Sequence, residues 1–264
     1  MSCKLITDRN YRDVPRECGV LPRYLQYGSP EAELQKLYPV GDVPDKLVPQ
    51  DEWKERILEA HAKRMFPIHY FEANNVPAKN QGGTNYCWSY SLASTVEAVN
   101  LMQGQPYRRL APATLGHLVN WKNQGYWLSD ALTGARKFGF ASSEFVPDGV
   151  TNERLFSPGW EGDALENRPL EWFDTIGVDN RRQDEFEQVR QCVSLLLSPS
   201  PLYVALNWWS HALMVAGLIW DETALYNLRW IYVNSHNDGR IELTGRRGIP
   251  DEAYAPRSVT FSPD

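Results

Sequence analysis

The chain has 264 residues, of which 42% are hydrophobic and 23% are charged, and its formal net charge at pH 7 is −6. A chain of this length and composition can bury one sizeable core, or one core and an appendage. The negative charge, with no basic cluster in the sequence, argues against a nucleic-acid-binding surface.

The first residues lack the apolar stretch of a signal peptide, and no segment is apolar for long enough to cross a bilayer. We therefore expect a cytoplasmic or particle-associated protein with no membrane partner. The four cysteines and five histidines show no metal-ligand spacing, so we expect no metal and no cofactor. We also expect reduced cysteines, although a pair between Cys3 and Cys18 stays open.

Residues 1–65 are rich in proline and charge and are predicted to form an N-terminal extension, followed by one domain over 66–264. Short helices are predicted over 30–37 and 50–65. In the second helix one face is expected to be apolar; it carries Trp53, Ile57, Leu58, His61 and Met65. The extension could pack on the core or serve as an arm that docks on an assembly partner.

The remaining chain is predicted to begin with helices and end with strands. Apolar residues at helical spacing predict a central helix over 87–103, and further helices are predicted over 112–121, 128–138 and 182–197. Apolar runs predict strands over 202–206, 211–219, 228–233 and 258–261. This order favours an α+β fold of two lobes with a cleft between them. Glu97, within the central helix, is expected to be solvated or capping.

Cys87 lies where the glycine-containing turn NQGGTNY gives way to the central helix. The free amides and the dipole at a helix N-terminus favour a thiolate. Gln81 could aim its side-chain amide at the same point. A thiolate nucleophile also needs an imidazole and a group that orients it; His211 opens one predicted strand and Asn234 follows the next, so an antiparallel pairing would bring them together.

At these residues the chain resembles the papain family of cysteine peptidases, over roughly 67–239. The resemblance implies a two-lobed papain-like fold and an endopeptidase acting on peptide or protein substrates. It implies that Cys87 and His211 form the ion pair, that Asn234 orients His211, and that Gln81 and the Cys87 N–H bind the oxyanion. It also implies that Gly125 lets a substrate backbone approach in extended form.

The chain departs from the family pattern in three ways. Thr84 stands where the family has a disulfide-bonded cysteine, and the pairing partner, expected near Leu118, is also missing, which suggests maturation outside an oxidising compartment. His236 replaces a tryptophan that shields the His–Asn bond in the family. Trp208 and Trp209, just before His211, are candidates for that shielding role.

Three alternatives stay open. Residues 1–65 could be a pro-segment that blocks the cleft, as in many papain-like enzymes, or a docking arm. The same thiol and imidazole could serve a peptidoglycan-directed cysteine hydrolase. The chain could also be a catalytically weak papain-like component of a larger particle, such as a virus, since the shielding tryptophan is missing and the stretch before His211 is short.

Overall fold

The computed structural model describes residues 4–15, 19–21, 46–150, 152–175, 185–236 and 239–256. The helices are α1 (Trp53–Ala62), α2 (Pro67–Ala73), α3 (Cys87–Met102), α4 (Pro112–Leu118), α5 (Leu128–Phe138), α6 (Trp160–Glu166) and α7 (Glu185–Leu197). The strands are β1 (Lys4–Ile6), β2 (Trp172–Asp174), β3 (Leu202–Leu206), β4 (His211–Trp220), β5 (Leu228–Val233), β6 (Arg240–Thr244) and β7 (Glu252–Pro256). The predicted helix over 30–37, the predicted strand over 258–261 and the Cys3–Cys18 pair lie outside the described residues.

In the described part of the chain the strands form one sheet with the order β1-β6-β5-β4-β3-β7-β2. Neighbouring strands are antiparallel except β1 and β6, which are parallel. The predicted strands over 202–206 and 228–233 are confirmed, and β4 extends one residue beyond its prediction. Strands β1, β2, β6 and β7 were not predicted: β1 and β2 have only three residues, and β6 and β7 lack the continuous run of large apolar residues that marks β3, β4 and β5.

The sheet separates two hydrophobic clusters, because successive side chains of a strand point to opposite faces. In β3, Val204 and Leu206 belong to the cluster that also contains α1 and α7. Tyr203 and Ala205 belong to the cluster formed with α3, α4 and α5. The mixed architecture confirms the predicted α+β fold of two lobes, and the first turn of α3 meets the start of β4 where the lobes adjoin.

Helix α3 has the predicted apolar spacing, and Trp88, Leu92 and Val96 are fully buried. It ends just before Gly104, whose φ of +79° lies in the left-handed region that favours glycine. A helix buried on all sides belongs to a protein core, and α3 is thereby the central helix of the fold. No helix among the described residues combines the length and the hydropathy that crossing a bilayer requires.

The described parts of the N-terminal extension pack on the same body. Strand β1 adds a parallel edge strand to β6, and Trp53 and Ile57 of α1 are fully buried. Leu58 is 53% exposed, so its predicted place on the buried face is wrong. The reason is that one residue step turns a side chain by about 100° around the helix axis, away from Ile57. The division at residue 65 stays a prediction.

Candidate active site

The candidate nucleophile, Cys87, is the first residue of α3. Its Sγ accepts a hydrogen bond of 3.3 Å from the main-chain N–H of Ala212. Ala212 directly follows His211 at the start of β4, so this bond brings the sulfur against the main chain next to the candidate base. The helix N-terminus supplies free amides and positive dipole charge, which favour the thiolate form of the cysteine.

The candidate base, His211, is held by Asn234. Pairing of β4 with β5 brings the start of β4 near the residue that follows β5, and His211 Nε2 lies 2.8 Å from Asn234 Oδ1. Oδ1 is an acceptor, so in the neutral ring Nε2 carries the hydrogen and Nδ1 does not. Nδ1 is buried and has no hydrogen-bond partner within the described residues. It is the nitrogen available to take a proton from a thiol.

Aromatic rings enclose the imidazole of His211. The Trp209 ring lies 4.7 Å from it, and the His236 ring stacks on it at 5.3 Å with an interplanar angle of 25°. Burial is the main cause that lowers the pKa of His211 to about 3. The hydrogen bond to Asn234 raises this pKa, and electrostatic repulsion from His236 lowers it further. While the site is buried in this way, the imidazole of His211 is therefore neutral at neutral pH.

Gln81 is fixed by four hydrogen bonds, one of which its main-chain O accepts from Thr84 Oγ1 at 2.7 Å. Its main-chain N–H donates to Ser235 O at 2.8 Å, and its Oε1 accepts from Ser235 Oγ at 2.6 Å. Its Nε2 donates to Thr84 O at 2.7 Å. An amide nitrogen has two hydrogens, so one remains to bind an oxyanion. Because Ser235 follows Asn234, the same turn orients both the candidate oxyanion donor and the histidine partner.

A buried ion pair lies behind Gln81. Lys79 Nζ is 2.6 Å from Glu97 Oε1 and also donates to Leu110 O at 3.0 Å, while Glu97 accepts from the Leu110 N–H at 2.6 Å. Glu97 is buried, so the expectation that it is solvated or capping is wrong. Burial raises the pKa of Glu97, and the attraction of Lys79 opposes that shift. The pair ties the Gln81 loop to the central helix.

Residues 19–21, the cleft segment, run along the site. Val20 N–H donates to Ser210 O at 3.2 Å, Leu21 N–H donates to Tyr126 O at 3.1 Å, and Tyr126 N–H donates to Gly19 O at 3.2 Å. Val20 therefore forms a parallel bridge with Tyr126. Ser210 has a φ of +54°, in the left-handed region, at the turn before His211. The cleft segment thus bonds to both sides of the site.

The cleft segment covers the sulfur of Cys87. A Cβ atom built on Gly19 would overlap Cys87 Sγ and would lie 3.2 Å from the carbonyl carbon of Asn85. Cys87 is fully buried, and Val20 is buried in the same cluster. The thiol is therefore closed off by the chain's own N-terminal residues at this point. A residue with a side chain could not occupy position 19 in this arrangement.

The structure thus brings Cys87, His211, Asn234 and Gln81 together. Gly125 stays a predicted substrate contact. In this structure the main-chain hydrogen bonds to the cleft segment are made by the next residue, Tyr126. Sequence reasoning missed several residues, which have in common that they reach the site from distant segments: Gly19, Lys79, Glu97, Tyr126, Ser210 and Ser235. The buried lysine and glutamate had no local signal, since charged residues usually lie at the surface.

The other three histidines, His61, His69 and His117, have other partners. His61 Nδ1 is 3.2 Å from His69 Nε2, and His61 Nε2 is 2.6 Å from Leu218 O. His117 lies 3.3 Å from the Glu153 carboxylate. Within the described ranges, no group of three or more histidine, cysteine or acidic side chains is arranged to hold a metal ion.

The fold brings the candidate residues to one place. A helix-borne cysteine, a strand-borne histidine with its asparagine, and a glutamine on the loop before the helix meet between two lobes. The fold is papain-like, as the following comparisons show.

No family model matches the chain. Zingipain-2 of Zingiber officinale is 31% identical over 101 residues, which are 36% of this chain and 46% of that protein. The chain therefore spans about half the length of this curated relative.

Solved structures match over most of the chain. A digestive procathepsin L 3 of Tenebrio molitor larval midgut has a TM-score of 0.53 at 15% identity and covers 88% of this chain and 94% of its own. Xylellain, a cysteine protease from Xylella fastidiosa, has a TM-score of 0.52 at 14% identity; the match covers 95% of this chain and 99% of the xylellain chain. These similarities show that the chain has the fold of papain-like cysteine proteases.

Proposed function

We propose that the chain is a papain-like cysteine endopeptidase that hydrolyses peptide bonds in peptide or protein substrates. One observation carries the proposal. Cys87 Sγ is bonded to the amide next to His211, whose Nε2 is held by Asn234 and whose buried Nδ1 has no hydrogen-bond partner in the described chain. This arrangement places an unpartnered imidazole nitrogen on the residue next to the one that bonds a thiol at a helix N-terminus.

In the proposed reaction His211 Nδ1 takes the thiol proton, and the Cys87 sulfur attacks the peptide carbonyl carbon. The second hydrogen of Gln81 Nε2 and the Cys87 N–H bind the oxyanion, which stabilises charge that develops in the transition state. The carbon–nitrogen bond then breaks, and His211 gives its proton to the leaving amine. Water, deprotonated by His211, hydrolyses the thioester, releasing a carboxylic acid and the thiol.

We also propose that the N-terminal extension inhibits the enzyme through the cleft segment. Three main-chain hydrogen bonds and the fit of Gly19 over the sulfur support this proposal over a docking arm alone. Burial keeps His211 neutral in the covered state. Withdrawal of the segment would admit water, which raises the pKa of His211 and permits the ion pair with Cys87. The similar Tenebrio molitor structure is a procathepsin by name.

The test compares Cys87→Ala with Cys192→Ala. Cys192 is a suitable control because it is free and fully buried, and burial raises its thiol pKa to about 12. Both variants are made in a chain that carries Gly19→Ala to open the cleft; we expect Cys87→Ala to abolish casein hydrolysis and labelling by a thiol-directed epoxide, and Cys192→Ala to retain both. Casein cleavage by Cys87→Ala would refute the proposal. Hydrolysis of purified cell wall but not casein would favour the peptidoglycan-directed alternative.

A further inference from the structure

Residues 4–15, here called the N-terminal clamp, are bonded to the body of the protein rather than to the cleft. Strand β1 pairs with β6, and the Ile6 side chain is buried in the core beneath the sheet. The Asp8 carboxylate accepts the main-chain N–H groups of Arg246 and Arg247, each at 3.0 Å. The clamp therefore satisfies main-chain groups and fills core space that would otherwise be open.

Aromatic contacts connect the clamp with the candidate base. Tyr11 packs edge-on against Trp208 with ring centres 5.5 Å apart, and Trp208 stacks on Trp209 at 5.5 Å. Trp209 in turn lies 4.7 Å from the His211 ring, and its Nε1 donates to Pro15 O at 2.7 Å. The Trp209 ring, which covers one side of His211, is thus held in two ways: through Trp208 by Tyr11, and directly by the hydrogen bond to Pro15.

We propose that the N-terminal clamp is a permanent positioning element of the enzyme, which stays on the body and holds Trp209 against His211 after the cleft segment has withdrawn. The inference rests on the proposed peptidase function. It assigns two roles to one N-terminal stretch: residues 19–21 cover the thiol, whereas residues 4–15 keep the imidazole oriented. Removal of the whole extension would then impair the site that withdrawal of the cleft segment opens.

The first experiment measures the rate of Cys87 alkylation by iodoacetamide in full-length chains that carry Gly19→Ala to open the cleft. Asp8→Ala with Tyr11→Ala removes the carboxylate and the ring. Asp8→Asn with Tyr11→Phe keeps an acceptor and a ring. We expect the first pair to slow alkylation about tenfold, since small misplacements of a catalytic group have large effects on rate, and the second pair to restore the rate.

The control for stability alone is Phe186→Ala. Phe186 is a partly buried aromatic that stacks on Trp53 at 5.9 Å in the same cluster. Its removal should lower the thermal midpoint and leave the alkylation rate unchanged. The inference is overturned if the Asp8→Ala, Tyr11→Ala chain alkylates as fast as its parent, or if Phe186→Ala slows alkylation equally at the same loss of thermal stability.

A second experiment uses the Gly19→Ala chain, in which the cleft is open, inserts a recognition site for a sequence-specific protease between residues 21 and 46, and cuts the purified chain there. We expect the N-terminal fragment to co-elute with the body in gel filtration. Its separation from a body that alkylates Cys87 at an undiminished rate would overturn the inference. Failure of the peptidase proposal is distinguishable, because alkylation reports on the thiol and imidazole even in a chain that cleaves no peptide.

Discussion

Adding one methyl group at position 19 should open the candidate active site. In the covered state a Cβ at this position overlaps Cys87 Sγ and is tight against the Asn85 carbonyl. Both obstacles are fixed, because the sulfur is bonded to the Ala212 amide and Asn85 is hydrogen-bonded to Asn123. Gly19→Ala can therefore be accommodated only if the cleft segment shifts.

The expected size of the effect follows from the cost of overfilling the site, set against the interactions that hold the cleft segment in place. Three main-chain hydrogen bonds contribute about 0.5–1.5 kcal/mol each, and burial of the Val20 side chain adds about 1.5–3 kcal/mol. Overfilling a packed site costs about 1–3 kcal/mol. A change of this size raises the open population about 5- to 150-fold. The alkylation rate of Cys87 should rise by the same factor, since it reports the open population.

The assay measures alkylation of Cys87 by iodoacetamide, together with casein hydrolysis, in the parent chain and in Gly19→Ala. Gly162→Ala is the matched control, because a Cβ there meets nothing within 4 Å. We expect Gly162→Ala to behave like the parent. If Gly19→Ala leaves both rates unchanged, the cleft segment does not control access to the thiol, and the inhibitory role proposed for it fails.

Three further results are expected. Gln81→Ala should lower kcat by about 10²- to 10³-fold with a smaller change in KM, because it removes an oxyanion donor; an unchanged kcat would contradict this role. Lys79→Met or Glu97→Met alone should lower the free energy of unfolding in urea by about 3–5 kcal/mol, whereas the double variant should recover most of it, since only single variants leave a buried charge unpaired. An equal loss in the double variant would refute the paired arrangement. His211 has its pKa depressed from 6.5 to about 3, so between these values the unfolded chain binds more protons, and stability should fall as pH falls from about 6.5 towards 3. His211→Gln should flatten that slope, and an identical slope in both chains would contradict the depressed pKa.

The elements that the sequence predicted well are those with a periodic pattern. Trp88, Leu92 and Val96 recur at helical spacing and mark α3, and apolar runs mark β3 and β5. The short strands β1, β2, β6 and β7 could not be predicted in the same way. Their positions depend on pairing with strands that are far apart in the chain, as β1 is from β6.

In the candidate site, too, residues in local motifs could be predicted and contacts between distant segments could not. By itself the sequence predicted Cys87, Gln81, His211 and Asn234 as site residues, because each stands in a short motif at the end of a helix, turn or strand. Only the tertiary structure revealed the glycine that covers the sulfur, the buried ion pair that anchors the Gln81 loop, and the hydrogen bond from Trp209, beside His211, to Pro15 of the N-terminal clamp. Those contacts join segments up to 194 residues apart, and no local pattern records which distant partner a side chain will meet when the chain closes around its core.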